Sequence, residues 1–170
     1  LYCSEALDRI VDKAMQIYGG YGFICEFPIE RMYRDSRINR IFEGTNEINR
    51  LWIADTVVKR GHKRKINIFE QAAGIMKELD HLSEYSSQGY FEDKAQHIHR
   101  FKKVVMIVLQ AASNKFGRKM SQEQEILNNL ADIVTLTYVA ESTLLRVKKL
   151  ESMQTPVEKS LYRDILDVFV

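Results

Sequence analysis

Apolar residues return every third or fourth position through most of this 170-residue chain, and that recurrence leaves it little choice but helices. From Ser4 the series Ala6, Leu7, Ile10, Val11, Ala14, Met15 and Ile17 or Tyr18 draws one stripe. It stops at Gly19-Gly20, a pair suited to a left-handed C-terminal cap because neither residue has a Cβ. Pro28 is placed to open a short helix within FICEFPIERMYRDSRINRIF. Thr45 caps the next, TNEINRLWIADTVVKRG, with Ile48, Leu51, Trp52 and Val58 on one side, Asp55 intruding on the same seam and Gly61 as its stop.

Further helices are expected beyond that point. One runs from Ile66 to about Leu82 with Ile68, Phe69, Ala72, Ala73, Ile75, Met76 and Leu79, and SEYSSQG after it has the composition of a loop. Tyr90 to Phe116 contains VVMIVL (Val104 to Leu109), apolar on every side, which predicts a central place in a bundle. Ser121 with Gln124 reads as a capping box for a helix to about Met153, striped by Ile126, Leu130, Ile133, Val134, Tyr138 and Leu145. Thr155-Pro156 with Glu158 repeats the device and opens a last helix to Val170. Two prolines and eight glycines leave little material for the turns of a β-sandwich, so the expected fold is all-α, an antiparallel helical bundle.

Charge argues against a polyanion as the main partner: 25 basic against 23 acidic residues give a net charge of +2, far below a dedicated nucleic-acid binder. Cys3 and Cys25 are too few for a disulfide scaffold or a zinc signature, which points to a reducing compartment rather than secretion, with each thiol a small hydrophobe. No apolar run approaches the roughly 18 residues of a spanning helix, and the chain is expected to be soluble. It opens at Leu1 inside a helical pattern with no initiator Met, as a piece of a longer polypeptide would. The run KRGHKRK (Lys59 to Lys65) is the sharpest change of composition and marks the expected boundary between residues 1–61 and residues 62–170. Such a run is most often a solvated linker, with contact to anionic phosphates or a membrane surface as the lesser reading.

GGYG lacks the fingerprint of a dinucleotide turn and the ending of a P-loop, and it follows a helix where those motifs need a strand. It reads locally as a chain turn, although a glycine pair also admits a close ligand. His62, His81, His97 and His99 form no metal set by spacing and read as surface residues. Glu43 in FEGTNE would alone be an exposed turn residue. With Phe42 before it, Gly44 after it and a helix starting at Thr45, it is a carboxylate whose partial desolvation would raise its pKa toward that of a general base.

Taken together, MQIYGGYGFICEFPIERMYRDSRINRIFEGTNEINRLWIA (Met15 to Ala54) resembles the C-terminal helical domain of the FAD-dependent acyl-CoA dehydrogenases, through the order and spacing of QIYGGYGF, PIER, YRDSRI and IFEGTNEI. The resemblance implies that Gln16, Ile17, Tyr18, Gly19 and Gly20 reach the FAD of a neighbouring subunit. It implies further that Glu43 removes the α-proton of an acyl thioester, that Ile41 and Gly44 line the thioester site, and that Thr45, Asn46 and Glu47 touch FAD. An α-proton beside a thioester is weakly acidic, so a base of raised pKa and donors aimed at the developing enolate oxygen make chemical sense. In the family those donors are the base's own backbone N–H and a hydroxyl of FAD.

Asp55 stands where some relatives place an arginine near CoA, so that contact is not carried over. The family's amino-terminal helical and middle β-domains have no counterpart here, and these residues alone are not expected to turn over substrate. Beyond Gly61 the chain resembles the very-long-chain branch, with an extra C-terminal helical domain. That implies long acyl chains in fatty-acid β-oxidation, a homodimer, membrane association in some members and an electron-transfer flavoprotein as acceptor. The compartment would be the bacterial cytoplasm or the mitochondrial matrix. The competing expectation is a non-catalytic helical dimerisation module that has kept the fold.

Overall fold

The computed structural model describes residues 1–78, 89–153 and 158–170, and every regular element among them is helical. The order is α1 (Tyr2–Tyr18), α2 (Gly20–Phe23), α3 (Pro28–Ile38), α4 (Asn46–His62), α5 (Ile68–Glu78), α6 (Tyr90–Phe116), a 3-10 turn (Gly117–Gln122), α7 (Gln124–Glu151) and α8 (Lys159–Phe169). They form two compact units, Leu1–Ile53 and Ala54–Val170.

In the first unit α1 packs on α3, with α2 against both. α3 starts on Pro28 after Phe27, which takes the extended backbone that a residue before proline favours. The apolar core is thin: Val11 and Ile29 are buried, whereas Ile17, Phe23 and Ile48 stand exposed. What fastens the start of α4 to α1 is polar. Asn46 is 1% exposed; its Nδ2 donates to Ser4 Oγ at 3.0 Å and Glu5 Oε1 at 3.3 Å. Arg50 grips both oxygens of Glu5, at 2.6 and 2.8 Å, and Arg40 Nη1 donates to Asp8 Oδ2 at 2.6 Å. The Arg50 guanidinium, hydrogen-bonded to Glu5, holds that carboxyl below its ordinary value against the opposing effect of burial.

The second unit is a helical hairpin with helices laid on it. α6 and α7 run antiparallel: Lys102 pairs with Glu141, and Ile98 shares a buried cluster with Ala140, Leu144, Val147 and Leu166 of α8. Gly117 ends α6 at φ 51°, an angle that glycine adopts freely. At the far end the one hydroxyl proton of Tyr90 has two acceptors in reach, Asp167 Oδ1 at 2.9 Å and the Arg163 carbonyl at 3.1 Å. Lys94 pairs with the same Asp167 at 2.9 Å, and Arg163 lies over the rings of Tyr90 and Phe91 while pairing with Glu151. Burial, and then the hydrogen bond to the Asp167 carboxylate, push the Tyr90 phenol up to about 12.

Several expectations change. Only Gly19 takes the left-handed cap, at φ 58°, while Gly20 already begins α2. α4 passes through Gly61 to His62, and the glycine makes room for the Phe69 ring, which a Cβ there would meet at 2.8 Å. It buries Ala54 and Val58 instead of Ile48 and Trp52. Ser121 caps nothing: Met120, buried, pins a 3-10 turn, and Glu123 is the residue before α7. The buried face of α7 holds Leu127, Leu130, Ala131, Ala140, Leu144 and Val147, with Tyr138 and Leu145 exposed. Within VVMIVL only Leu109 is buried, since α5 and α7 cover part of the circumference of α6. Cys3 and Cys25 are free but exposed, outside any core. His62 is exposed, as expected, and also has Nε2 3.0 Å from the hydroxyl of buried Ser113 and its ring against Phe69. The basic run is helix to His62 and then a hydrogen-bonded turn, with Arg64 at φ 53°. His81, Leu79, Leu82, the SEYSSQ loop and Thr155-Pro156 lie outside the described residues.

Two outcomes test the polar clamp. Asn46→Ala strands the buried groups around it and should cost about 2 kcal/mol of stability, read as a lower Tm. Glu5 has a lowered pKa in the folded state, so its contribution is complete above its unfolded value of 4.5 and fades as pH falls through the folded one. The Tm gap between wild type and Glu5→Gln should therefore be constant through neutral pH and close in acid below that value.

Candidate active site

The bend between α3 and α4 is built by one unusual backbone sequence. After Ile38 the chain makes tight turns, with the amides of Ile41 and Phe42 both donating to the Ile38 carbonyl at 2.9 and 3.1 Å. Glu43 at φ 52° and Gly44 at φ 90° then reverse it. Glycine adopts such angles freely, but a left-handed glutamate costs on the order of 1 kcal/mol or more. Beyond the bend Thr45 Oγ1 accepts from the Ile48 amide at 3.3 Å, the N-cap predicted from sequence. The Asn46 amide returns to the Arg40 carbonyl at 3.1 Å, and Asn49 Nδ2 donates to the Gly44 carbonyl at 2.9 Å.

Glu43 is exposed and its carboxylate has no partner among the described residues. Ile41 and Phe42, 47% and 50% exposed, lie beside it in sequence. Glu47, in the first turn of α4, has its carboxyl held below the ordinary value by its own backbone N–H and the Thr45 hydroxyl. Asn46 differs from its neighbours: its side chain is spent inside the fold on Ser4 and Glu5.

Gln16, Ile17, Tyr18, Gly19 and Gly20 are all exposed at the end of α1 and the start of α2. The three glycines of this stretch have three separate reasons. Gly19 is left-handed. A Cβ on Gly22 would lie 2.7 Å from the Met15 carbonyl oxygen, so the α1–α2 contact itself forbids a side chain there. Gly20 meets neither condition: its φ is not left-handed and a Cβ would find nothing within 4 Å. A groove of about 540 Å³ opens in the same unit, lined by Met15, Phe23, Tyr33, Arg37, Ile38 and Ile41 among others. Ile41 thus shares this groove with the two residues that flank the QIYGGYG stretch, Met15 and Phe23.

The sequence reading missed Asn49, and with it the Arg40–Asp8 and Glu5–Arg50 pairs that set the bend against α1. One signal was present: asparagine is a weak helix former, and in a first helical turn its side chain can reach back to the preceding loop. The long-range pairs left no local trace. Among the described residues no three His, Cys, Asp or Glu side chains gather to hold a metal.

The family profile described as the acyl-CoA dehydrogenase C-terminal domain matches residues 1–58, and a second profile of the same description matches residues 100–170. A probable acyl-CoA dehydrogenase of Bacillus subtilis is 43% identical across 97% of this chain, which spans 28% of that protein. The crystal structure of an acyl-CoA dehydrogenase complexed with FAD from Bacillus anthracis superimposes with a TM-score of 0.84 at 40% identity, over 98% of this chain and 29% of that one. A subunit of the caffeyl-CoA reductase-Etf complex of Acetobacterium woodii is 46% identical over 59 residues, 35% of this chain and 16% of its own length. The chain therefore spans less than a third of these relatives. With two profiles, a likeness along nearly its whole length and the same helical fold, the chain belongs to the acyl-CoA dehydrogenase family, as its C-terminal helical region.

Proposed function

We propose that this chain is the C-terminal portion of an FAD-dependent acyl-CoA dehydrogenase that introduces an α,β double bond into long-chain acyl-CoA in fatty-acid β-oxidation, with Glu43 as the base. The observation that carries the reading is the bend: an unpartnered carboxylate on a left-handed residue, beside exposed Ile41 and Phe42 and just before the α4 N-terminus. Strain of that kind persists where surrounding structure over-determines it, and it gathers at working sites. Glu43 is open on this chain's own surface, so the dryness that a carbon base needs comes from the further length its relatives possess.

In this mechanism the Glu43 carboxylate takes the α-proton while its backbone N–H donates to the thioester oxygen. Ile41 and Gly44 face the thioester. When bound, FAD would supply the two-electron acceptor for the hydrogen that leaves the β-carbon. The residues fit that group: Gly20 is bare with open space where its side chain would be, at an end of α1 that also exposes Gln16, Ile17 and Tyr18. Thr45 and Glu47 complete the flavin side of the site, and Asn46 serves by holding them in place.

The wider reading follows the resemblance. Residues 1–61 form part of the family's C-terminal helical domain and residues 62–170 an additional one, supported by the two separate profile matches, to residues 1–58 and to residues 100–170. We assign long acyl chains to the protein on that extra region, together with a homodimer and an electron-transfer flavoprotein as acceptor. The relative from an Etf complex supports the acceptor. The basic run Lys59 to Lys65 supports contact with an anionic membrane surface, in a bacterial cytoplasm or a mitochondrial matrix.

Glu43→Gln in the full-length protein should keep its flavin yet slow substrate-driven flavin bleaching by roughly 10²–10⁴-fold; bleaching at the wild-type rate removes Glu43 from its role, and a colourless protein favours the non-catalytic module. A pair of glycine variants tests the cofactor contact. Gly20→Ala should leave Tm unchanged and weaken flavin retention, whereas Gly22→Ala should lower Tm through the clash with Met15. Equal flavin retention in Gly20→Ala and wild type would count against the contact.

A further inference from the structure

We infer that Asn49 is the positioning residue of the Glu43 bend, a reading that rests on Glu43 acting as the base. The bend joins a residue that resists its own conformation, Glu43 at φ 52°, to the residue with most backbone freedom, Gly44 at φ 90°. Backbone bonds from Ile41 and Phe42 to Ile38 and from Asn46 to Arg40 close the bend around this pair, and one further tie reaches the Gly44 peptide itself. Asn49 provides it from the first turns of α4. Its backbone amide is fixed on the Thr45 carbonyl at 2.9 Å, and its Nδ2 donates to the Gly44 carbonyl, also at 2.9 Å. The amide lies across the glycine, since a Cβ on Gly44 would be 3.2 Å from Asn49 Oδ1.

The Gly44 peptide is therefore locked to the helix that follows it, and Glu43 with it. Asn49 meets no reacting atom. It acts by narrowing the orientations open to the Glu43 carboxylate and backbone N–H, which must address one carbon-bound proton and one thioester oxygen together. An aspartate at this position would keep the shape but lose the donor and set a carboxylate against a carbonyl oxygen.

The test uses the full-length flavoprotein with palmitoyl-CoA, comparing wild type, Asn49→Asp and Glu43→Gln. Asn49→Asp should retain flavin and palmitoyl-CoA affinity, while the rate of flavin bleaching at saturating palmitoyl-CoA falls roughly ten- to hundredfold. Amide hydrogen exchange in peptides covering residues 43–45 should speed up in the same variant without substrate. Unchanged bleaching and exchange in Asn49→Asp, with bleaching lost in Glu43→Gln, would sink the positioning role and leave the base standing. Normal bleaching in Glu43→Gln would sink both. Should Asn49→Asp lose its flavin, Asn49→Ala repeats the test without the added charge; loss in both marks a merely structural side chain and overturns the proposal.

Discussion

The grip of Arg50 on Glu5, with Asn46 sealed beneath it, is the interaction on which the first unit turns. Its apolar core could not do the work: Val11 and Ile29 are its large buried hydrophobes, and a pair of such side chains is worth only a few kcal/mol. Polar contacts of fixed geometry supply direction where greasy ones would supply only adhesion. They set the first turn of α4 against α1 at one angle, and Arg40 on Asp8 repeats the arrangement on the near side of the bend. A bidentate guanidinium–carboxylate pair that is largely withdrawn from water resists sliding in a way a leucine contact does not.

That fixed frame explains how a strained turn can persist at the surface. Glu43 and Gly44 are held between two anchored ends, the Arg40–Asn46 backbone bond and the α4 N-cap. The side chain they present is free while the backbone beneath it is not. A group meant to accept a proton from carbon benefits from this combination, because its orientation costs nothing at the moment of reaction.

Much of the fold could be read along the chain, because helices announce themselves by periodicity and by their ends. Pro28, Thr45 and Gly19 each act where the sequence suggests. What periodicity could not supply was phase. An apolar run such as VVMIVL reports that a helix has neighbours and is silent on how many, so Val104 and Val108 stay exposed while Leu109 is buried. The same ambiguity placed Tyr138 and Leu145 on the wrong side of α7. For the candidate site, motif order brought out the residues of the bend, but its supports come from Ser4, Glu5 and Asp8, more than thirty positions away. Gly61 shows the limit well: a glycine near a helix end reads as a stop, and here it is a flat spot for the Phe69 ring.

The clasp of Tyr90 with Arg163 and Asp167 carries a consequence for biosynthesis. It joins positions 73 and 77 residues apart, and Leu166 fills a cluster whose other members, Ile98 through Val147, precede it. As a nascent chain leaves the ribosome amino end first, the α6–α7 hairpin emerges with that cluster open and waits for α8. A hairpin is a local, quickly closed structure, whereas the cluster is complete only once Leu166 of α8 has emerged. During that interval the exposed cluster is what a chaperone would hold.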